Sequence, residues 1–140
     1  MRSAGGLTEK LIDSLYVESM VLADETRSYF DQFGRVARAG MTPLQRVSFS
    51  CESLKVTTRL MHSIAWLLAQ RTAQGSQNPL AAAAPSEEAT IASLPEEAQQ
   101  LIRSSEDLYG RIERLDRRLA QDADDRSPAL RLRERLEQVF

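Results

Sequence analysis

The sequence predicts an all-α protein, an up-down-up antiparallel three-helix bundle with a short C-terminal helical appendage. Three observations lead to this prediction. Long stretches contain almost no glycine or proline, apolar residues recur within them in steps of three and four, and turn-forming residues separate them. Because short connections place consecutive helices antiparallel, the three stretches are expected to alternate in direction.

The composition restricts the class of protein. A length of 140 residues suits one domain, and a 42% hydrophobic fraction can support its core. One cysteine excludes an internal disulfide, and a net charge of −2 argues against a general nucleic-acid or anionic-membrane binder. The apolar runs are too short for a membrane span, and the first ten residues do not resemble a signal peptide. We therefore expect a cytoplasmic protein.

The first helix is predicted from Thr8 to Phe33, with Gly34 as its C-terminal cap and residues 35–40 as a turn. Residues 1–9 are predicted to be a disordered N-terminus, and residues 10–121 to form the bundle. The residues expected to face the core follow heptad steps: Ile12, Leu15, Ser19, Leu22, Thr26, Tyr29 and Phe33.

The second helix has the clearest start. Thr42 can cap it, Pro43 suits the first helical position, and Gln45 completes a capping box, after which the helix is predicted to run to Gln74. An unbroken row of apolar and small residues follows heptad steps: Leu44, Val47, Cys51, Leu54, Thr58, Met61, Ala65 and Leu68. A second row, Leu60, Ile64 and Leu67, lies beside it. We expect both rows to be buried, with Cys51 as a core thiol, because this helix would be the central one.

A linker over residues 75–93, rich in small residues, precedes the third helix, which is predicted from about Leu94 to Gln121. Its expected core residues are Leu101, Ser105, Leu108, Ile112, Leu115 and Leu119. Residues 122–140 form the C-terminal appendage, with Leu132, Leu136 and Val139 on one face. A helix of this length is marginal alone, so the appendage either docks on a surface or is disordered.

Residues suited to catalysis are not grouped in this sequence. Cys51 and His62 lie eleven residues apart on one helix, so about 16 Å separates their backbones, too far to share a metal or form a nucleophile–base pair. No glycine-rich phosphate-binding motif occurs, and the carboxylates alternate with basic residues. The sequence predicts no enzyme, no cofactor and no metal site.

Trp66 lies among polar residues on the second helix, which leaves three interpretations open. The alanine-rich linker covers it within the monomer, a partner or second copy covers it, or it makes only a cation–π contact with Arg59. The arginines on the outer face of the third helix form either a solvated, ion-paired surface or a docking strip for an acidic partner. Candidate residues for a partner or dimer interface are Arg59, His62, Trp66, Gln70, Arg111, Arg114 and Arg118.

Three segments carry a family resemblance. Residues 53–71 resemble the central helix of the RcdA-type regulators of CtrA degradation found in alphaproteobacteria. Residues 94–98 and 108–116 resemble the third helix of that family, and Tyr16, Glu18, Ala23 and Tyr29 match its first helix more loosely. The resemblance covers about residues 10–118.

The resemblance implies a dimeric three-helix bundle and a non-enzymatic adaptor that helps the ClpXP protease reach cell-cycle substrates. The partners it implies are ClpXP with a response-regulator adaptor, a cyclic-di-GMP effector protein and the degraded substrates. Two alternatives stay open: a nucleic-acid-associated regulator that uses the arginines of the third helix, and a purely structural helical dimerisation module. The acidic net charge weighs against the first.

Overall fold

The computed structural model describes residues 2–72, 78–126 and 128–139, and all the regular structure in these ranges is helical. The all-α class is therefore confirmed. The elements are α1 (Arg2–Ser28), a π-helical turn (Tyr29–Phe33), α2 (Gly34–Ala39), α3 (Pro43–Thr72), α4 (Glu88–Ala92), α5 (Glu96–Arg126) and α6 (Pro128–Val139).

The first helix is longer than predicted at both ends. It begins at Arg2, so residues 2–9 of the segment predicted to be disordered are helical, and it continues through the π turn into α2. Gly34 has φ −58° and ψ −38°, which is helical, so it does not act as a left-handed cap. Aromatic packing explains the continuation, because the ring of Phe30 lies 5.1 Å from that of Phe49 and the Arg38 guanidinium lies over the same ring at 5.5 Å.

The start of α3 agrees with the predicted capping box. The backbone N–H of Thr42 donates to Gln45 Oε1 at 2.9 Å, and the backbone N–H of Gln45 donates to Thr42 Oγ1 at 3.2 Å. These two bonds satisfy donors that a helix start leaves unpaired, and Pro43 needs no such partner. The predicted end at Gln74 lies outside the described residues.

Helices α1 and α3 are antiparallel, as predicted. In the middle of α1, Asp13 contacts Arg71 at 3.1 Å, and the Arg71 guanidinium lies 4.6 Å from the Tyr16 ring centre. Near its end, Tyr29 packs against Phe49. The middle of α1 therefore lies beside the end of α3, and the residues just after α1 lie beside the first part of α3.

Helices α3 and α5 are parallel, so the predicted up-down-up order is wrong. Arg59 bonds to Ser105, and seven residues later Trp66 bonds to Asp116, so both helices advance in the same direction. Arg111, in the middle of α5, pairs with Glu18 of α1, and Glu97 at the start of α5 lies near Tyr29 just after α1, so α1 and α5 are antiparallel. The contacts give an up-down-down arrangement.

The connection between α3 and α5 explains this difference. Residues 78–87, which we call the strap, have no helical structure and run back along the bundle from Asp116, bonded to Leu80, to Glu52, bonded to Ser86. The six residue steps from Leu80 to Ser86 span about 20 Å when extended, which matches the 14 helical residue steps between Glu52 and Trp66 on α3. The strap therefore returns the chain to the end where α3 began, and the expectation from short connections does not apply.

The cores of α1 and α5 follow the predicted spacing. The predicted α1 residues from Ile12 to Tyr29 are buried, and Phe33 is the exception at 54% exposure. On α5 the predicted residues from Leu101 to Leu115 are buried, and Leu119 is partly buried. The buried hydroxyls of Ser19 and Thr26 donate to the carbonyls four residues earlier at 2.7 Å, which permits these polar residues in the core.

The inward face of α3 is the reverse of the prediction. The row from Leu44 to Leu68 is exposed, and Cys51 is an exposed thiol rather than a core thiol. Of the second row, Leu60 and Leu67 are buried and Ile64 is half-buried. The residues that α3 buries are Phe49, Glu52, Val56, Arg59, Leu60, Ser63, Trp66 and Leu67.

Truncating a core side chain of α5 should destabilise the protein. Leu108 is 1% exposed, so Leu108→Ala removes buried methyl groups and leaves a cavity, which we expect to lower the free energy of unfolding by about 2–5 kcal/mol. Urea unfolding followed by circular dichroism measures the change. Val36→Ala is the control, because Val36 is 75% exposed, and a loss as large as that of Leu108→Ala would contradict the assignment.

Candidate functional site

The outer face of α3 carries the row that was predicted to be buried. We call this row the seam; its members are Leu44, Val47, Cys51, Leu54, Thr58, Met61, Ala65 and Leu68. Leu54 and Met61, near its middle, are 67% and 63% exposed. The row is about 36 Å long, at 1.5 Å per helical residue.

The seam lacks the charges of an ordinary solvated helix face. Every exposed residue of α3 from Val47 to Leu68 is uncharged, whereas the exposed face of α5 is rich in arginine, aspartate and glutamate. A continuous apolar surface of this length is typical of a contact with another protein. The heptad steps of the seam are those of helices that pack against a second helix.

Two buried charged side chains on the inner face of α3, Arg59 and Glu52, are hydrogen-bonded within the protomer. Arg59 is 2% exposed and donates to Ser105 Oγ at 3.2 Å, to the Ala84 carbonyl at 3.0 Å and to Ser86 Oγ at 2.5 Å. Burial lowers the pKa of Arg59, and the carboxylates of Glu106 and Glu52 oppose that effect. A buried guanidinium is tolerated here because its donors meet acceptors on both α5 and the strap.

Glu52 completes this network. It is 2% exposed; its Oε1 accepts from Lys55 Nζ at 3.0 Å, and its Oε2 accepts from the Ser86 hydroxyl at 2.5 Å. Ser86 of the strap therefore joins both buried charges of α3. This arrangement holds the strap against the bundle.

Trp66 is buried within the protomer, which was the first of the three interpretations. It is 4% exposed, and its indole N–H donates to Asp116 Oδ1 at 3.2 Å. Asp116 Oδ2 accepts from the backbone N–H of Leu80 at 3.0 Å, so the strap does pass over this part of α3. The side chain is therefore used inside the bundle.

The structure does not bring the seven candidate interface residues together on one surface. Arg59 and Trp66 are buried, and His62 and Gln70 are half-buried. The buried Nδ1 atom of His62 has no hydrogen-bond partner within the described residues. Arg114 and Arg118 are exposed on α5.

Several arginines of α5 are ion-paired. Arg111 Nη1 donates to Glu18 Oε2 at 3.0 Å, and Arg111 Nε donates to Asp107 at 3.1 Å. The hydrogen bond with Glu18 raises the pKa of Arg111. Arg103 makes two bonds to Glu88, and Arg117 lies 3.7 Å from a carboxylate oxygen on the same helix. This pattern is typical of a solvated, ion-paired face.

Comparison with known proteins identifies the family. A family model described as "Protein of unknown function (DUF1465)" matches residues 4–140. The chain belongs to this family. This DUF1465 protein is similar to RcdA from Caulobacter crescentus CB15, whose crystal structure matches with 34% sequence identity and a TM-score of 0.61, over 78% of this chain and 90% of that chain. The resemblance to the RcdA-type family is thereby confirmed. Curated proteins yielded no significant match.

Membrane-spanning helices and metal-binding clusters do not occur in the described part of the DUF1465 chain. Among its described residues, no helix is long and apolar enough to cross a membrane. Within the same ranges, no three or more His, Cys, Asp or Glu side chains are grouped to hold a metal ion.

Proposed function

We propose that this DUF1465 protein is a non-enzymatic cytoplasmic adaptor that forms a homodimer and helps ClpXP degrade cell-cycle regulators. The observation that carries the proposal is the seam, an exposed and uncharged heptad row on a folded bundle. The 34% sequence identity between this chain and RcdA supports the adaptor class. The partners proposed on that basis are ClpXP with a response-regulator adaptor, a cyclic-di-GMP effector protein and the substrates to be degraded.

A second copy of α3 is the occupant that fits the seam. If a second copy of α3 covers the large side chains of the seam, their burial favours association by on the order of 5–10 kcal/mol before the entropic costs of association are subtracted. The favourable term and the costs are therefore similar in size, which supports a reversible dimer.

The order of side-chain sizes along the seam favours antiparallel pairing. Reversing one copy about a point between Leu54 and Thr58 places larger residues against smaller ones in three successive layers, and two leucines at each end. Parallel pairing would instead place Cys51, Thr58 and Ala65 against their own copies, leaving three underfilled layers. The antiparallel layers are Leu44 with Leu68, Val47 with Ala65, Cys51 with Met61, and Leu54 with Thr58, each pair from two copies.

Cross-linking tests this register, because Cys51 is the only cysteine. Antiparallel pairing separates the two copies of Cys51 by about 15 Å along the helix axis and places each opposite Met61 of the second copy. We therefore expect a short bifunctional thiol cross-linker to join the protomers of Met61→Cys but not those of the wild-type chain. The control Cys51→Ala/Met61→Cys should also stay uncross-linked, and cross-linking of the wild type would indicate parallel pairing.

A reconstituted degradation assay tests the adaptor function. Purified chain is added to ClpXP, a response-regulator adaptor and a cell-cycle regulator as substrate, and degradation is followed on gels. We expect the chain to accelerate degradation. A folded dimer that changes neither degradation nor substrate binding would contradict the adaptor proposal and favour a purely structural dimerisation module.

The nucleic-acid alternative has less support. Arg103, Arg111 and Arg117 of α5 are already paired with carboxylates, which reduces the positive charge available to phosphates. Binding to duplex DNA at physiological salt, with a steep dependence on salt concentration, would favour this alternative.

A further inference from the structure

The strap has the periodicity of a polyproline II helix. Leu80, Ala83 and Ser86 are half-buried, and the two residues between each of them are exposed. A polyproline II helix has three residues per turn, so every third residue faces the same side. Glu87, at the end of the strap, has φ −79° and ψ 138°, close to polyproline II values.

The bundle contacts the main chain of the strap. Asp116 accepts the backbone N–H of Leu80 at 3.0 Å, the Tyr109 hydroxyl donates to the Ala81 carbonyl at 2.7 Å, and Arg59 donates to the Ala84 carbonyl at 3.0 Å. Such contacts recognise an extended backbone independently of its side chains. Grooves that bind polyproline II segments in other proteins are also lined by aromatic residues.

The groove between α3 and α5 keeps bonds that do not involve the strap. Arg59 also bonds to Ser105, and Asp116 also accepts the indole N–H of Trp66. Arg59 and Asp116 would therefore each keep one partner on the bundle if the strap left, and side chains that are already oriented bind a ligand at lower entropic cost. The strap itself has one large apolar side chain, Leu80, and its alanines 81, 82 and 84 are exposed.

We propose that the groove between α3 and α5 is a binding site for polyproline II segments, and that the strap occupies it in cis. The ligand is an extended, proline- and alanine-rich segment of a partner protein, which displaces the strap. It carries an apolar residue at the Leu80 position, a small residue three positions later and a hydroxyl residue at the Ser86 position. The groove is separate from the seam, so this inference does not depend on the dimer or on the adaptor function.

Peptide binding tests the proposal directly. In one variant, residues 80–86 are replaced by seven alternating glycine and serine residues, and a synthetic peptide of residues 78–87 is titrated while the fluorescence of Trp66, the only tryptophan, is recorded. We expect the peptide to bind this variant at least tenfold more tightly than the wild-type chain, because the tethered strap competes in the latter. No binding to the folded variant would overturn the proposal.

Two altered peptides test the three-residue register. Ala83→Arg places a long side chain at a half-buried position and should weaken binding at least tenfold, whereas Ala82→Arg changes an exposed position and should not. Equal binding of the two altered peptides would overturn the proposed register. Tyr109→Phe in the protein should weaken binding several-fold, because the donor to the Ala81 carbonyl is lost.

Hydrogen exchange of the intact chain provides a test that needs no variant. The Leu80 amide bonds to Asp116, so its exchange reports the opening of the strap. We expect it to exchange at least a hundredfold faster than the amides in the middle of α3 and α5. If the Leu80 amide exchanges as slowly as those helical amides, the strap opens only when the whole protein unfolds. That result would overturn the proposal.

Discussion

The Leu54→Glu/Met61→Glu variant is expected to be a folded monomer at concentrations where the wild-type chain is a dimer. Both residues are more than 60% exposed in the protomer, so the substitutions leave the core intact. In the proposed antiparallel pair they place four carboxylates between two apolar faces, where they have no basic partner. We expect the dissociation constant to rise more than about 100-fold, or roughly 2.7 kcal/mol, measured by sedimentation equilibrium.

A matched pair of substitutions outside the seam controls for surface charge. Leu7 and Val36 are 69% and 75% exposed, so Leu7→Glu/Val36→Glu adds the same charge without touching the seam and should stay dimeric. Circular dichroism should show the same helical content for both double variants. A wild-type chain that is monomeric at micromolar concentrations would contradict the homodimer, and a dimeric seam variant would place the interface elsewhere.

The elements that sequence reasoning predicted well depend on local interactions. The capping box at Thr42 and Gln45 joins residues three positions apart, so its spacing identifies it. On α5, apolar residues such as Leu108 and Ile112 occupy one side and ion-paired arginines the other, which leaves a single choice of inward face.

The orientation of α3 could not be predicted because both of its faces are suited to burial. The seam has the stronger apolar pattern. Glu52 and Arg59 lie on the opposite face, and in the sequence alone two such charged residues indicate a face exposed to solvent. Their partners are distant in sequence: Arg59 bonds to Ser105, 46 residues away, and Glu52 bonds to Ser86, 34 residues away. The seam residues have the spacing of a helix–helix contact, but the structure places them on the outer face of the protomer, so their predicted burial in the core is wrong.

The direction of α5 was missed for a related reason. The linker over residues 75–93 was predicted to contain no long helix, because Pro79 and Pro85 exclude one between them, and it was treated as a short connection. The same prolines favour an extended chain, which is long enough to return along α3. Bonds from Asp116, Tyr109 and Arg59 hold it there, and each joins residues that lie 25 to 36 positions apart in the sequence.

Trp66→Ala is expected to destabilise the folded protomer by about 3–5 kcal/mol. The indole is 4% exposed, so the substitution leaves a large cavity between α3 and the strap. It also removes a donor from Asp116, which then keeps the Leu80 amide as a partner. Thermal and urea unfolding, followed by circular dichroism at equal protein concentration, measure the loss without contributions from mass action.

Trp66→Phe separates the contribution of the filled volume from that of the hydrogen bond to Asp116. Phenylalanine fills most of the volume but cannot donate to Asp116, so we expect a loss of about 1–2 kcal/mol, well below that of the alanine variant. At a concentration where the protein stays folded, neither variant should change the dimer dissociation constant strongly, because Trp66 faces away from the seam. An alanine variant with unchanged stability but weakened association would show that Trp66 acts at an interface, and the assignment of the two faces of α3 would then have to be reversed.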